Sequence, residues 1–453
     1  MIEIRSLQMK NPAIERLGLE SVPQNLKTTT WFEYFIIQLA FSVNSGNFLV
    51  PALAVMEGGL SMFWAILSTL IGGTLAFFFV SVLSLPGARY GLPAQYVIRS
   101  MIGTRLSRLI ASPVRSLTSL YWFSVQTIGG TLVVLSLLKK AVGVEFPLIP
   151  IAVSLALIMT ILALIGFEAV KKATKLFMPF LLIGQAAILI IFINTSANGS
   201  GINVLFSGEG FSIGAFVFFA SLAFVQYVSG VSASSDITRY AKSGKQGFWG
   251  LFAGNVFGFF MTALLGTFSA ALFNNLNPFV AATEQTGSVL LTILIGICAM
   301  VSMISINLSN AYTGGFSLLN AIPSLGRVKS ALVFGAAGII LSCFPALVNN
   351  AKDYISLLGA FVIPLSAVIV ADFLYIKKAR IPDKDLERLA SGTFQYNQKA
   401  IYTLAVALFI YFLIPEGWSP GFISFLLTFM MYSFISKQSS KNNVNDYKKS
   451  RHA

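Results

Sequence analysis

Apolar segments of about 18 or more residues recur between short polar loops along nearly the whole chain, and this constrains its fold more than any other feature. Each is long enough as a helix to cross a ~30 Å hydrocarbon core, and a helix satisfies its backbone N–H and C=O groups where no water can. Twelve such spans are predicted, centred in 33–55, 60–84, 113–138, 147–166, 174–194, 212–235, 247–273, 288–319, 331–348, 354–376, 400–414 and 418–436. With 56% hydrophobic and 11% charged residues, the composition is too apolar for a soluble domain. The chain reads as an all-α polytopic membrane protein.

Basic residues set the expected orientation. A cytoplasmic N-terminus places 28 of the 31 Lys and Arg residues inside and leaves Lys139, Lys140 and Lys352 outside. Both termini are therefore expected in the cytoplasm of a cell (plasma or inner) membrane, with no secretory signal peptide and the first span as insertion signal. The net charge of +14 then belongs to cytoplasmic loops such as Arg89 to Arg115, and no nucleic-acid partner is needed to explain it. The single histidine, His452, lies in the tail, so the spans hold no histidine relay or histidine metal site. Cys298 and Cys343 fall within spans and suggest neither a disulfide framework nor a metal site.

Two spans are interrupted by small polar residues: "FSVNSGN" (41–47) in the first and "QYVSGVSASSD" (226–236) in the sixth. Such a break frees backbone groups that lipid cannot satisfy, so it belongs beside protein or a water-filled cavity. The breaks lie five spans apart, which points to an inverted-repeat transporter with its site at the midplane. The alternative is that Ser and Gly merely let helices pack closely. The expected organisation is a cytoplasmic segment 1–30, five-helix repeats 31–195 and 196–378, a loop with two further helices 379–436, and a disordered cytoplasmic tail 437–453.

Span 3 carries Trp122 and Gln126 one turn apart, and span 8 the polar run "SMISINLSNAYTGG" with Ser302, Ser305 and Asn307. A buried amide without a partner costs ~2–7 kcal/mol, so these groups need each other, water or a ligand. Gln126, Gln226 and Asn307 both donate and accept, matching a ligand edge that alternates N–H and C=O. Nucleobases, hydantoins and ureides have such edges, and Trp122 with Tyr227 offers stacking surface for a flat ring. The competing reading packs Trp122 between helices and gives Gln126 an interhelical hydrogen bond. Asp236 and Arg239, at i and i+3, read as an ion pair at the cytoplasmic mouth.

"LYWFSVQT", "SSDITRY", "INLSNAYTGG", "VIVADFLYIKKAR" and the N-terminal "LGLESVP" together resemble the nucleobase:cation symporter-1 family of purine, cytosine and hydantoin permeases, over roughly residues 15–435. The resemblance implies the leucine-transporter fold, a five-plus-five inverted repeat with two extra helices and alternating access around a central site. It implies Trp122 and Tyr227 as the sandwich around the heterocycle, Gln126 and Asn307 as polar contacts, and Phe41 and Ser42 completing the pocket. It also implies a sodium site from the Ile37 and Ala40 carbonyls with Ser302 and Ser305. Ile306 stands where a further hydroxyl is expected, which leaves proton coupling as the alternative.

The leading expectation is a secondary active transporter importing a nucleobase or related nitrogen heterocycle, coupled to Na+ or H+, with no bound cofactor and no obligate protein partner. An amino-acid symporter of the same fold needs a Gly-rich break to receive a carboxylate, and only Gly46 is available there. A membrane-embedded enzyme needs a catalytic constellation, and the spans hold no paired carboxylates and no nucleophile with a base.

Overall fold

The computed structural model describes residues 20–164, 167–197, 201–206 and 210–450. The N-terminal stretch before Glu20 and His452 lie outside these. Among the described residues, eight helices are long and apolar enough to cross a membrane, and a ninth crossing is the bent pair Trp31–Ser42 and Ser45–Met56. Leu148–Ala163, Gln398–Leu413 and Pro420–Ser450 stand where the fourth, eleventh and twelfth spans are predicted.

Span 1 shows how local sequence sets this architecture. Thr30 and Glu33 form a reciprocal capping box: the Glu33 N–H donates to Thr30 Oγ1 (3.3 Å) and the Thr30 N–H to Glu33 Oε2 (2.8 Å). The helix stops at Ser42 because Val43 and Asn44 are extended, and Asn44 caps the next helix by accepting the Asn47 N–H at 2.9 Å. The two halves are bent by 59°. Span 6 loosens more gradually: helix Ile213–Val228 tightens into one 3-10 turn, Ser229–Ser232, and resumes as Ser234–Thr238 after Ala233.

Spans 1, 2, 6 and 7 pack together, as do spans 3, 4, 8 and 9. Close approach explains the first group. On span 7 (Gly244–Phe273), Gly250, Gly254 and Gly258 form a small-xxx-small ridge against the first half of span 1, Trp31–Ser42. A Cβ on Gly250 would sit 2.5 Å from the Trp31 carbonyl oxygen, and one on Gly254 2.7 Å from that of Phe35. In the second group, a Cβ on Gly338 of span 9 would meet the Phe123 ring at 2.8 Å. Span 5 (Phe167–Ala197) lies against span 8 and the first half of span 1, while spans 10 to 12 pack on one another and spans 10 and 12 pack on span 6.

The structure corrects several boundaries. Span 9 runs Gly326–Leu341 instead of 331–348, because Pro345 separates it from the one-turn helix Ala346–Asn349. The basic stretch between spans 2 and 3 contains short helices, Leu85–Tyr90 and Ala94–Ile102 among them. The last helix continues to Ser450 through the polar segment for which disorder is predicted from residue 437; no Pro or Gly after Gly421 interrupts it. Glu57, the C-cap of the second half of span 1, pairs with Lys352 at the start of span 10 at 2.9 Å.

Candidate functional site

The two breaks lie side by side and are stitched by carboxamides. Within span 1, Asn44 Nδ2 donates to the Phe41 carbonyl and Asn47 Nδ2 to the Ser42 carbonyl (2.7 Å), so the residues that stop the helix also satisfy the carbonyls it leaves open. From span 3 (Ser112–Val142), Gln126 Oε1 accepts the Gly46 N–H at 3.0 Å and its Nε2 donates to Asn44 Oδ1. Gln126 thus clamps the break with both ends of its amide. From span 6, Gln226 Nε2 donates to Asn47 Oδ1 (3.1 Å) and more weakly to the Gly46 carbonyl (3.4 Å).

Between the breaks is a cavity of about 150 Å³, lined by Phe41, Ser42, Trp122, Gln126, Gln226 and Tyr227 of the predicted set. Tyr227 is wedged by Phe77 (centroids 4.6 Å apart) and Phe259 (4.8 Å), and Trp122 stands edge-on to Tyr121 (4.9 Å). The two rings are not packed on each other, and both residues line the cavity. Four residues of the lining each carry a buried polar atom without a hydrogen-bond partner: Gln38 Nε2, Gln226 Oε1, the Tyr227 hydroxyl and Ser234 Oγ. Donors and acceptors are both among them, so the site is complementary to a ligand presenting both.

Asn307 is the exception among the predicted residues. Its Nδ2 donates to the Phe123 carbonyl (3.0 Å), Thr127 Oγ1 (3.1 Å) and Met159 Sδ (3.2 Å), all on spans 3 and 4. The amide that span 8 (Val289–Ala321) presents to the cavity is Asn310, whose Nδ2 also donates to Asn307 Oδ1 (3.2 Å). One turn of register separates the two roles. Ile306, expected beside the sodium site, lines the cavity as well.

For the expected ion ligands the geometry is mixed. Ser302 lies against the span 1 break, donating to the Val43 carbonyl, and Ser305 is buried. Ala40 belongs to the last turn of its helix, where carbonyls lack intrahelical partners, whereas Ile37 lies a turn deeper. The Ser42 carbonyl is taken by Asn47 and by Thr262 Oγ1 (2.9 Å).

Gln38, Asn255, Asn310 and Arg115 line the cavity but were not expected there. The spacing of Gln38 carried a usable signal: it precedes Phe41 and Ser42 by three and four residues and so shares their helix face. Past the second break, Asp236 Oδ1 accepts the Ala94 N–H at 2.7 Å, capping helix Ala94–Ile102, and Arg239 Nη2 donates to the Glu20 carbonyl at 2.9 Å. Lys139 pairs with exposed Glu145 at 2.7 Å and holds that carboxyl below its ordinary range.

Comparison with known proteins bears on this geometry. Residues 21–435 match the family described as permease for cytosine/purines, uracil, thiamine and allantoin. The hydantoin permease of Microbacterium maritypicum is 23% identical, the match covering 91% of this chain and 86% of that one. The putative allantoin permease of Escherichia coli is 22% identical, covering 94% and 96%. A nucleobase-cation-symport-1 family transporter, solved in a closed conformation with bromovinylhydantoin bound, shares the fold with a TM-score of 0.77 at 20% identity, over 93% of this chain and 96% of that chain.

Proposed function

Since the chain belongs to the family of permeases for cytosine and purines, uracil, thiamine and allantoin, we propose that it imports a nucleobase, hydantoin or ureide through the cavity between its two helix breaks. The observation that carries this reading is the set of unpaired Gln38 Nε2, Gln226 Oε1 and Tyr227 hydroxyl groups around one small cavity that Trp122 also lines. A flat ring stacked on Trp122 would bring alternating N–H and C=O groups to those atoms. Asn310 takes the place first given to Asn307. An amino-acid substrate is disfavoured because the Gly46 N–H, the group available to receive a carboxylate at the first break, is occupied by Gln126.

Alternating access would move spans 1 and 6 relative to spans 3 and 8, with a cation as co-substrate. Sodium at the Ile37 and Ala40 carbonyls with Ser302 and Ser305 remains the proposal, supported by the Ser302 hydroxyl standing at the break. If it holds, sodium and substrate tighten each other's binding by the same factor. Both termini are placed in the cytoplasm on the distribution of Lys and Arg. Cysteines at Val144 and Ser243 should label from opposite sides of the membrane; labelling from one side would overturn that orientation.

The functional test is a thermal-shift screen of the purified protein against nucleobases, hydantoins, allantoin and amino acids, in sodium and in potassium. Stabilisation by heterocycles and not by amino acids is expected, since a ligand that binds only the native state raises its stability. Stabilisation by amino acids alone would overturn the reading.

A further inference from the structure

Arg115 is the one charged side chain among the described residues that line the cavity, and no carboxylate lines it. It lies seven residues before Trp122 and eleven before Gln126 on span 3, so the three share a helix face. A ring stacked on Trp122 would have Gln126 toward the outer side and Arg115 toward the cytoplasmic side. The guanidinium is held in place without being neutralised: Nη2 donates to Thr313 Oγ1 at 2.9 Å, Nη1 reaches the Ser229 carbonyl of the span 6 break only at 3.4 Å, and Nε is buried with no partner. The carboxylate whose field reaches it is Asp236, which also faces Arg327 and Arg239 and spends Oδ1 on the Ala94 N–H. Among the described residues no carboxylate is hydrogen-bonded or ion-paired to Arg115, so its charge is left to the cavity it lines.

An ionisable group at membrane depth is costly and points to function, and a guanidinium presents a planar fork of donors that matches a carboxylate or an ionised imide edge. We infer that Arg115 selects an anionic heterocycle: a flat ring carrying a carboxylate or an ionised N–H, whose negative group meets the guanidinium while the ring stacks on Trp122. This rests on the heterocycle-transport reading and narrows its substrate class. It also gives the substrate a direct hold on the second break, because the group that would grip the anion already touches the Ser229 carbonyl.

The test compares binding of two ring-matched pairs to the purified full-length protein by equilibrium titration: uracil with uracil-6-carboxylate, and hydantoin with hydantoin-5-acetate. At least one carboxylated member should bind tenfold or more tightly than its neutral partner. Arg115→Gln should bring the ratio of carboxylated to neutral affinity close to one, and Arg115→Lys should retain part of the preference. Neutral members binding as well as or better than both carboxylated ones would overturn this inference and leave heterocycle transport standing. Binding of none of the four, when amino acids do bind, would overturn both. If Arg115→Gln does not fold, the two wild-type ratios decide alone.

Discussion

The two helix breaks are built differently. At the first, Asn44, Asn47, Gln126, Thr262 and Ser302 each supply a hydrogen bond to a freed backbone group or to one another, and the chain turns sharply. At the second, the helix loosens through one 3-10 turn; Ser232 Oγ donates to the Ser229 carbonyl at 2.7 Å and Gln95 Nε2 to the Ser232 carbonyl at 3.2 Å, while Arg115, Ser229 and Ser366 reach its carbonyls at 3.4 Å. The unpaired Gln226 Oε1, Tyr227 hydroxyl and Ser234 Oγ cluster around it. The first break is a fixed wall whose polar groups are consumed by the fold. The second leaves these three side-chain groups unpaired, a capacity that a ligand would meet.

That contrast predicts opposite outcomes for two glutamines. Gln126→Ala should have the largest effect, because it orphans the buried Gly46 N–H, at ~1–3 kcal/mol, and removes one of the two hydrogen bonds that Asn44 Oδ1 accepts. It should lower the melting temperature and weaken binding together. Gln226→Ala, at the open break, should cost about tenfold in affinity, near 1.4 kcal/mol, with a smaller change in melting temperature. Equal loss of stability in the two variants would erase the distinction between the breaks. Trp122→Ala comes next: a tenfold or greater loss of heterocycle affinity in a protein that still inserts and melts cooperatively, read by titration and calorimetry.

Span 8 sharpens the comparison with a smaller effect. Asn307→Ala should destabilise by ~1–3 kcal/mol, since it strips spans 3 and 4 of a buried donor. Asn310→Ala should instead weaken binding severalfold while melting close to the parent. A reversed pattern would restore the original assignment of Asn307 to the ligand. Smallest of all, Glu57→Gln removes a partly exposed pair with Lys352 and should change stability by no more than ~1 kcal/mol and affinity not at all.

The spans and the paired breaks were legible because they depend on hydropathy and helix-breaking composition, which are local properties of the chain, and the family resemblance, with the amide chemistry of Gln226, pointed to six residues that line the cavity. Asn307 and Asn310 show where that ended. Both are buried amides on one polar helix, three residues apart, and only the packing of spans 3 and 4 decides which faces a partner and which the cavity. Arg115 was hidden by the same logic in reverse: counted among loop cations for topology, it begins the helical face that continues through Trp122. Close packing of span 7 on span 1 was written in the Gly250, Gly254 and Gly258 spacing, a pattern that shows its meaning only once the facing helix is known.

The central claim is that the cavity between the breaks is the transport site, and uptake tests it most directly. The heterocycle that stabilises the protein most in the thermal screen should accumulate in proteoliposomes under an imposed inward sodium gradient, and Trp122→Ala, reconstituted at equal density, should reduce that uptake at sub-saturating substrate at least tenfold. Undiminished uptake by Trp122→Ala would place the transport path elsewhere and contradict the account.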